Sequence, residues 1–403
     1  MEAQMAFIEN YKPDCIGIYV NLMTKVNVVK IITSVKNNPK LNKVPIILGG
    51  PEVRNHIDRF LMNGADVIVL GEGEVSFHEV ITSLQNKTDL LPVKGIAFKN
   101  QFNEIIQTGE REKIKDIDVL GFPNRKKVNL QLYLDAWKKR HGKNAISIST
   151  MRGCPYTCKW CSRAVYGLSY RRRSPEKVVE EMLFIQQTYQ PDTLWFVDDV
   201  FTVSHKWLEK FAELIVANNI QLPFECITRA DRLNEEVLQL LQKSGCFRVW
   251  IGAESGSQKI IDAMDRRVDV EQVRSMIQLA KKYQIETGTF IMLGYPGENE
   301  QDIEETIHHL KVSNPDYFTI TVAYPIKGTE LYTEVEPVFT TQNDWATTTD
   351  RDIKFKRTYP ESYYRFAVSR VVNEVNYYKH AQIKFKIKSM LAKSGMWWSR
   401  TWL

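Results

Sequence analysis

RGCPYTCKWC, residues 152–161, is the stretch from which both the fold and the chemistry of this chain are read. It places Cys154, Cys158 and Cys161 in the spacing C-x3-C-x2-C. Thiolates are soft ligands that suit zinc and iron-sulfur clusters, and a short loop can bring three of them to one centre. Structural zinc usually takes four protein ligands, and neither a second cysteine pair nor a nearby histidine pair follows Cys161. The spacing therefore favours a 4Fe-4S cluster in which one iron lacks a protein ligand. The alternative interpretations are a disulfide pair with a free thiol, or a loop that has lost its metal.

Length and composition are those of an ordinary globular protein with room for two domains. The chain has 403 residues, of which 43% are hydrophobic and 25% charged, and its net charge is +6. It contains no apolar run of 18 residues and no signal-peptide pattern, so neither secretion nor a membrane span is expected. Six cysteines, three of them in one loop, do not make a disulfide framework and favour a reducing compartment, hence a cytoplasmic protein. The mild charge gives no reason to expect nucleic-acid binding.

The first hundred residues alternate between apolar strands and helical stretches. Strands are predicted at 14–20, 44–48 and 65–70, with helices after each, and a hairpin at 93–98 and 104–108. Such alternation indicates a parallel sheet with helices on its faces, whose ligands lie beyond the carboxyl ends of the strands. The glycines of GGPE (49–52) and GEGE (71–74) stand at those ends. They line a ligand site or only form tight turns.

A second alternating region begins at Asn144. Its strands are predicted at 145–150, 193–197, 224–228, 248–253, 287–293 and 317–323, with helices at 175–189, 205–218, 234–243, 270–283 and 301–313. Six strands that alternate with helices favour a partial parallel barrel with its chemistry at the carboxyl ends of the strands. Besides the cysteine loop, polar or glycine-containing segments follow successive strands there: Asp198-Asp199, Arg229, Glu254 and Gly294-Tyr295-Pro296-Gly297-Glu298.

The cysteine spacing, with Gly153 before it and Trp160 inside it, resembles the signature of radical S-adenosylmethionine (SAM) enzymes. The resemblance implies a 4Fe-4S cluster whose open iron binds SAM and whose electron cleaves it to a 5'-deoxyadenosyl radical. It also implies a set of SAM-binding residues: Trp160, Asp198, Asp199, Arg229, Glu254, Gly294 and Pro296. An aspartate would meet the SAM ammonium, Arg229 its carboxylate, Glu254 its ribose or methionyl end, and the glycine turn and Trp160 its adenine. Each has a structural alternative: a helix cap for Asp198, an ion pair with Asp231 for Arg229, and a plain strand-end carboxylate for Glu254.

The first region resembles the cobalamin-binding domain that precedes the radical SAM barrel in one subfamily. The resemblance implies cobalamin contacts from Gly49, Gly50, Gly71, Glu72 and Gly73. The chain departs from the pattern by starting almost at the second strand, by having Tyr19 where a small hydroxyl residue is common, and by lacking a D-x-H-x-x-G motif. We therefore expect a Rossmann-like domain without its first strand and helix.

The fold class predicted from these patterns is α/β, in four parts. Residues 1–110 form the cobalamin-binding-like domain, 111–143 a linker, 144–335 the partial (βα)6 radical SAM barrel and 336–403 a mainly helical extension. The last two dozen residues combine lysines with Trp397, Trp398 and Trp402, which favours a packed helix with a basic face over a membrane-contacting segment. Cys15, Cys226 and Cys246 are interpreted as small buried side chains.

The predicted function is that of a cobalamin-dependent radical SAM enzyme that methylates an unactivated carbon of a small-molecule substrate. An electron donor such as flavodoxin or ferredoxin is the expected partner. Radical cyclisation or rearrangement, and a non-catalytic cobalamin- or SAM-binding protein, stay open as alternatives. Methylthiolation is disfavoured because it needs a second cluster, and the first domain offers only Cys15 as a ligand.

Overall fold

The computed structural model describes residues 2–400 as two units, each made of more than one chain segment. The first unit comprises the described residues up to Lys115 together with Lys159–Ser169 and Tyr324–Phe355. The second comprises Asp116–Cys158, Tyr170–Ala323 and the described residues from Lys356 onward. Trp402, which the sequence grouped with the tail, lies outside the described residues.

Most of the described helices and strands alternate along the chain. The N-terminal ones are α1 (Glu2–Tyr11), β1 (Ile16–Tyr19), α2 (Lys25–Asn37), β2 (Ile46–Gly49), α3 (Ile57–Met62), β3 (Val67–Val69), α4 (Gly73–Asn86), β4 (Ile96–Lys99) and β5 (Ile105–Gln107). The middle ones are α5 (Leu130–His141), β6 (Ala145–Ile148), β7 (Met151–Arg152), β8 (Arg171–Arg172), α6 (Pro175–Thr188), β9 (Thr193–Phe196), α7 (His205–Ala217), β10 (Phe224–Thr228), α8 (Glu235–Lys243), β11 (Cys246–Glu254), α9 (Gln258–Ala263), α10 (Val270–Lys282), β12 (Glu286–Leu293), α11 (Glu300–Ser313) and β13 (Tyr317–Val322). The C-terminal ones are α12 (Glu330–Val335), α13 (Glu361–His380) and α14 (Ile383–Arg400).

The first unit contains a sheet in the order β1-β2-β3-β4-β5, with β1 at one edge. The first three strands pair in parallel, and the β4–β5 hairpin is antiparallel, as predicted. Strand β2 is apolar on both faces: Ile46 and Leu48 pack into one hydrophobic cluster, and Ile47 packs into the other. Burial on both faces is typical of a parallel sheet between helical layers. This arrangement brings the ends of β1, β2 and β3 to one edge.

The second unit contains a six-stranded, all-parallel sheet in the order β13-β12-β11-β10-β9-β6. Local signals explain why its helices begin where they do. Ser174 caps α6 just before Pro175, and Asn299 forms a capping box with Asp302 at the start of α11. The open parallel sheet agrees with the predicted partial barrel.

Two boundaries differ from the sequence prediction. The predicted linker contains α5, whose Leu134 is buried in the core of the second unit because one face of the helix is apolar enough to pack there. Residues 324–355, predicted to end the barrel and begin the tail, instead group with the first unit, where Trp345 joins the hydrophobic cluster of Phe60. The periodicity of apolar residues in the predicted strands gives no indication of either boundary.

The C-terminal helices α13 and α14 pack together within the second unit. Tyr363 and Tyr364 of α13 and Met396 of α14 belong to its core, whereas Trp397 and Trp398 are exposed. Cys226 and Cys246 are buried in that unit as predicted, while Cys15 is only half-buried. Among residues 2–400, no helix combines the length and apolarity that a membrane crossing requires.

Candidate functional site

The cysteine loop leaves the sheet of the second unit just after β6. Cys154 is half-buried and Cys158 is buried there, while Cys161 is exposed on the segment that groups with the first unit. Burial raises the pKa of the Cys154 thiol. Three residues of chain span at most about 11 Å, so covalent connection alone keeps Cys161 in reach of the centre that Cys158 would ligate.

Two guanidinium groups face the sulfur of Cys158. Nη1 of Arg266 lies 3.7 Å from Sγ, and Nη1 of Arg229 lies 3.9 Å from it. Both arginines are almost completely buried, with 9% and 1% of their surface exposed. These two guanidinium groups place positive charge where a negatively charged metal cluster would lie. The surroundings of Cys158 therefore suit a metal ligand better than an inert core thiol.

The remaining bonds of Arg229 are made within the protein. Its Nε donates to Asp231 at 2.8 Å, its Nη2 donates to the carbonyl of Arg266 at 2.8 Å, and its guanidinium lies 3.8 Å from the ring centre of Tyr156. The ion pair with Asp231, raised above as the structural alternative, is thus present. The contact of Arg229 with the SAM carboxylate stays a prediction.

Glu254 pairs with Arg266, which the sequence did not single out. The register of β11 against β12 shifts between Gly252 and Glu254, and Glu254 takes a positive φ of 66°. Its carboxylate lies 3.9 Å from Arg266 Nη2, which also donates to the Gly252 carbonyl at 3.0 Å. Burial raises the pKa of Glu254, and Arg266 opposes that rise. A side chain at Gly252 would meet the Arg266 guanidinium at 2.3 Å, so the glycine is needed for this approach.

Asp198 is buried at the end of β9 and is fully engaged with the strand that leads into the cysteine loop. Its carboxylate accepts hydrogen bonds from the amides of Thr150 at 2.7 Å and Met151 at 3.2 Å, and from the Thr150 hydroxyl. Arg172 lies 3.9 Å away. Burial raises the pKa of Asp198, while Arg172 lowers it. These bonds hold Thr150 and Met151, the residues just before the cysteine loop. Asp198 therefore helps to position Cys154 and Cys158 through the backbone. Its SAM contact stays a prediction.

Asp199, the neighbouring carboxylate, is exposed. Two effects raise the pKa of Asp199: the larger is desolvation by the surrounding protein, and the smaller is the negative charge of Asp198. Asp199 and Arg229 both act electrostatically on the Cys154 thiol, in opposite directions. Of the two aspartates, Asp199 is the one whose carboxylate is accessible next to the cysteine loop.

The turn after β12 encloses a buried carboxyl group. The amide of Gly294 donates to Glu298 Oε2 at 2.5 Å, and Glu298 is wholly buried. Burial raises the pKa of Glu298 to about 8, so the group is mostly protonated at neutral pH. Gly294 has a φ of 76° and packs against the ring of Tyr364, while Pro296 is half-buried. Trp160, predicted to join this turn at adenine, is half-buried on the segment assigned to the first unit.

In the first unit, a cavity of about 490 Å³ opens at the carboxyl ends of β1, β2 and β3. All five residues predicted for cobalamin line it: Gly49, Gly50, Gly71, Glu72 and Gly73. Exposed aromatic side chains, including Tyr19 and Phe77, lie beside them. The cavity therefore offers bare backbone at its rim together with aromatic surface for a flat ligand.

Gly50 is required by the shape of this rim. Its φ of 108° belongs to the region that only glycine adopts readily, and an added Cβ would lie 2.4 Å from the Val20 carbonyl oxygen. The carboxylate of Glu72 accepts a hydrogen bond from the amide of Ile114 at 2.9 Å, and its predicted cobalamin contact stays a prediction. This bond ties the rim to the segment that follows β5.

Comparison with protein-family models finds two matches on this chain. The radical SAM superfamily model matches residues 148–310, and the B12 binding domain model matches residues 1–81. The chain carries a radical SAM domain preceded by a B12-binding domain. Both resemblances inferred from the cysteine and glycine patterns are thereby confirmed, as is the α/β fold class.

Curated proteins that are similar to this chain include a methyltransferase and a cyclase. An uncharacterised methyltransferase of Pyrococcus horikoshii is 27% identical over 332 residues, covering 81% of this chain and 70% of the relative. The anaerobic magnesium-protoporphyrin IX monomethyl ester cyclase of Synechocystis is 26% identical over 298 residues, covering 73% of this chain and 58% of the cyclase.

The fold matches two solved structures closely. The radical SAM methyltransferase TsrM from Kitasatospora setae, with cobalamin and a [4Fe-4S] cluster bound, gives a TM-score of 0.74 at 15% identity, with 91% of this chain and 78% of that one covered. The cobalamin-dependent radical SAM enzyme OxsB with aqua-cobalamin gives 0.73 at 16% identity, with 96% and 65% covered. At these identities the likeness concerns the fold.

The radical SAM domain implies a 4Fe-4S cluster and SAM, and the B12-binding domain implies cobalamin. The residues present fit both groups. A thiol buried against two arginines suits a cluster ligand, and a cavity lined by bare backbone with a glycine that cannot carry a side chain suits a large ligand pressed against the chain. Sequence reasoning did not identify Arg266, because this residue follows α9, a short helix without a clear periodic pattern of apolar residues.

Proposed function

We propose that this chain is an enzyme that cleaves SAM reductively and transfers a methyl group, by way of cobalamin, to an unactivated carbon of a small molecule. The observation that carries the proposal is the pairing of an arginine-flanked cysteine loop in the radical SAM domain with a glycine-lined cavity in the B12-binding domain. When bound, the cluster supplies the electron that cleaves SAM, and cobalamin supplies a methyl carrier.

The residues divide this work as follows. Cys154, Cys158 and Cys161 hold the cluster, and Arg266 places positive charge beside the sulfur of Cys158. Asp199 receives the SAM ammonium, because it is the accessible carboxylate beside the cysteine loop. Arg229 adds positive charge where the SAM carboxylate would lie, although its bond to Asp231 leaves it fewer free donors than the sequence suggested.

Other predicted contacts belong to the same proposal. Glu254 would meet the ribose or methionyl end of SAM, while Gly294, Pro296 and Trp160 would border adenine. An external donor such as flavodoxin or ferredoxin would supply the electron. A cytoplasmic location fits a chain whose cysteine pattern makes no disulfide framework. Peripheral contact of α14 with a membrane would use the exposed Trp397 and Trp398.

A second candidate reaction is radical cyclisation without methyl transfer. The similarity to a magnesium-protoporphyrin monomethyl ester cyclase favours it, because that relative covers 73% of this chain. Both reactions share SAM cleavage and differ in the fate of the SAM methyl group.

The test is anaerobic reconstitution with iron, sulfide and cobalamin, followed by incubation with SAM and a strong reductant. We expect 5'-deoxyadenosine from the reconstituted protein and none from Cys158→Ala. With methyl-labelled SAM, label on the bound corrinoid supports methyl transfer, whereas deoxyadenosine without labelled corrinoid supports cyclisation or rearrangement. A protein that binds neither iron nor corrinoid would refute both.

A further inference from the structure

Two carboxylates and one imidazole form a buried cluster in the first unit, outside every role assigned above. Glu52, His56 and Asp350 are 6%, 4% and 5% exposed, and one ligand atom of each lies within 4.8 Å of the other two. Glu52 and His56 come from the segment after the Gly49–Gly50 rim, and Asp350 comes from the returning segment of the same unit. Charged groups are rarely buried together unless they are paired or bind a metal.

Several polar atoms of this cluster have no hydrogen-bond partner among the described residues. They are Oε1 of Glu52 and both ring nitrogens of His56. The closest approach, 3.5 Å between His56 Nε2 and Glu52 Oε1, does not meet the geometry of a hydrogen bond. A buried polar atom without a hydrogen-bond partner destabilises the folded state, so three such atoms in one place indicate a missing ligand.

Neighbouring groups account for the other interactions at this place. Oδ2 of Asp350 accepts a hydrogen bond from the amide of Lys327 at 2.7 Å, which leaves its second oxygen for another partner. Lys25 adds positive charge, but its Nζ donates to the Trp345 carbonyl at 2.8 Å and lies over the Trp345 ring. The ammonium group is therefore directed to the tryptophan.

The protonation states agree with metal ligation. Burial, together with the charges of Lys327 and Lys25, lowers the pKa of His56 to about 3, so the imidazole is neutral at physiological pH. Neutral imidazole is the form that binds metal ions. Burial and the charge of Asp350 raise the pKa of Glu52 to about 7, and a cation at this position would reverse that rise.

There is also room for water. A cavity of about 210 Å³ is lined by Glu52, His56 and Asp350 along with polar side chains such as Asn21 and Asn55. At about 30 Å³ per water molecule, this space accommodates the waters that would complete the coordination of an ion held by three protein ligands.

We propose that Glu52, His56 and Asp350 bind a divalent transition-metal ion of the zinc or ferrous class, with water in the remaining positions. One imidazole with two carboxylates is a ligand set that these ions accept. The ion would fasten the segment around Asp350 to the chain just after Gly50, and so would hold the rim of the glycine-lined cavity in shape. This site is independent of the cluster and of the reaction proposed above.

The test measures metal uptake by the full-length protein. Cluster-reconstituted protein is washed with chelator, dialysed against Zn²⁺ and assayed for zinc by mass spectrometry, and binding is measured by calorimetry. We expect one equivalent of zinc, with affinity reduced roughly tenfold or more in His56→Gln and in Glu52→Gln. Glu336→Gln, an exposed carboxylate of the same unit, is the matched control and should bind like the unmodified protein.

A second arm separates this site from the cysteine loop. The same titration is run on protein in which Cys154, Cys158 and Cys161 are replaced by serine, and we expect the equivalent of zinc to persist. No stoichiometric uptake, or uptake that survives His56→Gln but vanishes with the serines, overturns the proposal. If His56→Gln fails to fold by circular dichroism, the spectrum of Co²⁺ in the unmodified chain decides, because thiolate-to-cobalt charge transfer from the bound ion would refute these ligands.

Discussion

Arg266 Nη1 lies 3.7 Å from the sulfur of Cys158, across 108 positions of sequence. The same guanidinium faces the carboxylate of Glu254. One buried arginine thereby connects the cysteine loop to the end of strand β11, and the charge of this pair becomes part of the environment of any cluster bound at Cys158.

Arg266→Gln is expected to make the cluster harder to reduce, because hydrogen bonds and positive charge at a ligand sulfur raise the potential of an iron-sulfur cluster. The measurement is a redox titration followed by electron paramagnetic resonance. Arg267→Gln is the control, since Arg267 is exposed and pairs with Asp265. Equal potentials in the two variants would show that Arg266 does not act on the cluster.

Asp198→Asn and Asp199→Asn are expected to impair different properties of the protein, cluster retention and SAM affinity respectively. Asp198 accepts bonds from two backbone amides, so its change should lower iron retention and the stability of the loop by about 1–3 kcal/mol. Asp199→Asn should retain the cluster but bind SAM roughly tenfold or more weakly. Iron content and the dissociation constant for SAM measure the two effects. A normal SAM affinity in Asp199→Asn would exclude it as the ammonium partner.

Gly50→Ala is expected to lose corrinoid binding, because its Cβ would lie 2.4 Å from the Val20 carbonyl oxygen at a positive φ. Gly109→Ala is the control, because Gly109 lies in the same unit outside the cavity and an added Cβ there would meet no described atom within 4 Å. Visible absorbance after cobalamin supplementation and gel filtration measures binding, and thermal unfolding measures the strain. Equal corrinoid content in both proteins would contradict the proposed rim.

The raised pKa of Glu298 is expected to make the free energy of unfolding decrease as the pH rises. Its folded-state pKa of about 8 is above the ordinary value of 4.5, so the folded protein holds the proton that the unfolded chain releases. Stability from this group is complete below about pH 4.5 and falls, by at most about 1.4 kcal/mol per pH unit, until pH 8. Glu298→Gln should therefore lose less stability between pH 5 and pH 8 than the unmodified protein. Urea unfolding at several pH values checks this, with Glu336→Gln as the exposed control, and parallel curves would contradict it.

The sequence predicted the strands and helices well because each carries its own signal. The β2 run is apolar throughout, and α6 begins with Ser174-Pro175, so local chemistry was sufficient there. The cysteine loop was equally readable because its ligands are adjacent in the chain. The role of Arg266 could not be predicted from the sequence. Its position at Cys158 depends on a bulge in β11 and on a short helix without a periodic pattern of apolar residues.

The same reason explains the other differences. Residues 324–355 were assigned to the barrel and tail because they follow its last strand, yet their contacts lie with the first unit. Asp198 and Asp199 are adjacent and identical, so the sequence could not assign them different roles. The structure distinguishes them by burial: Asp198 is buried and Asp199 is exposed. The cluster of Glu52, His56 and Asp350 joins parts of the chain too distant for any local pattern to reveal.

The position of Trp345 has a consequence for how the first unit is made. Its ring meets Phe60 edge-on at 4.7 Å and its carbonyl receives the ammonium of Lys25, so the hydrophobic interior of this unit is incomplete without it. During synthesis, the ribosome must deliver more than two hundred further residues after Lys115 before Trp345 emerges. A gene fragment that encodes the N-terminal segment alone would therefore yield a polypeptide whose hydrophobic core lacks Trp345, so the core of this unit is completed only after residues 148–310 have been synthesised.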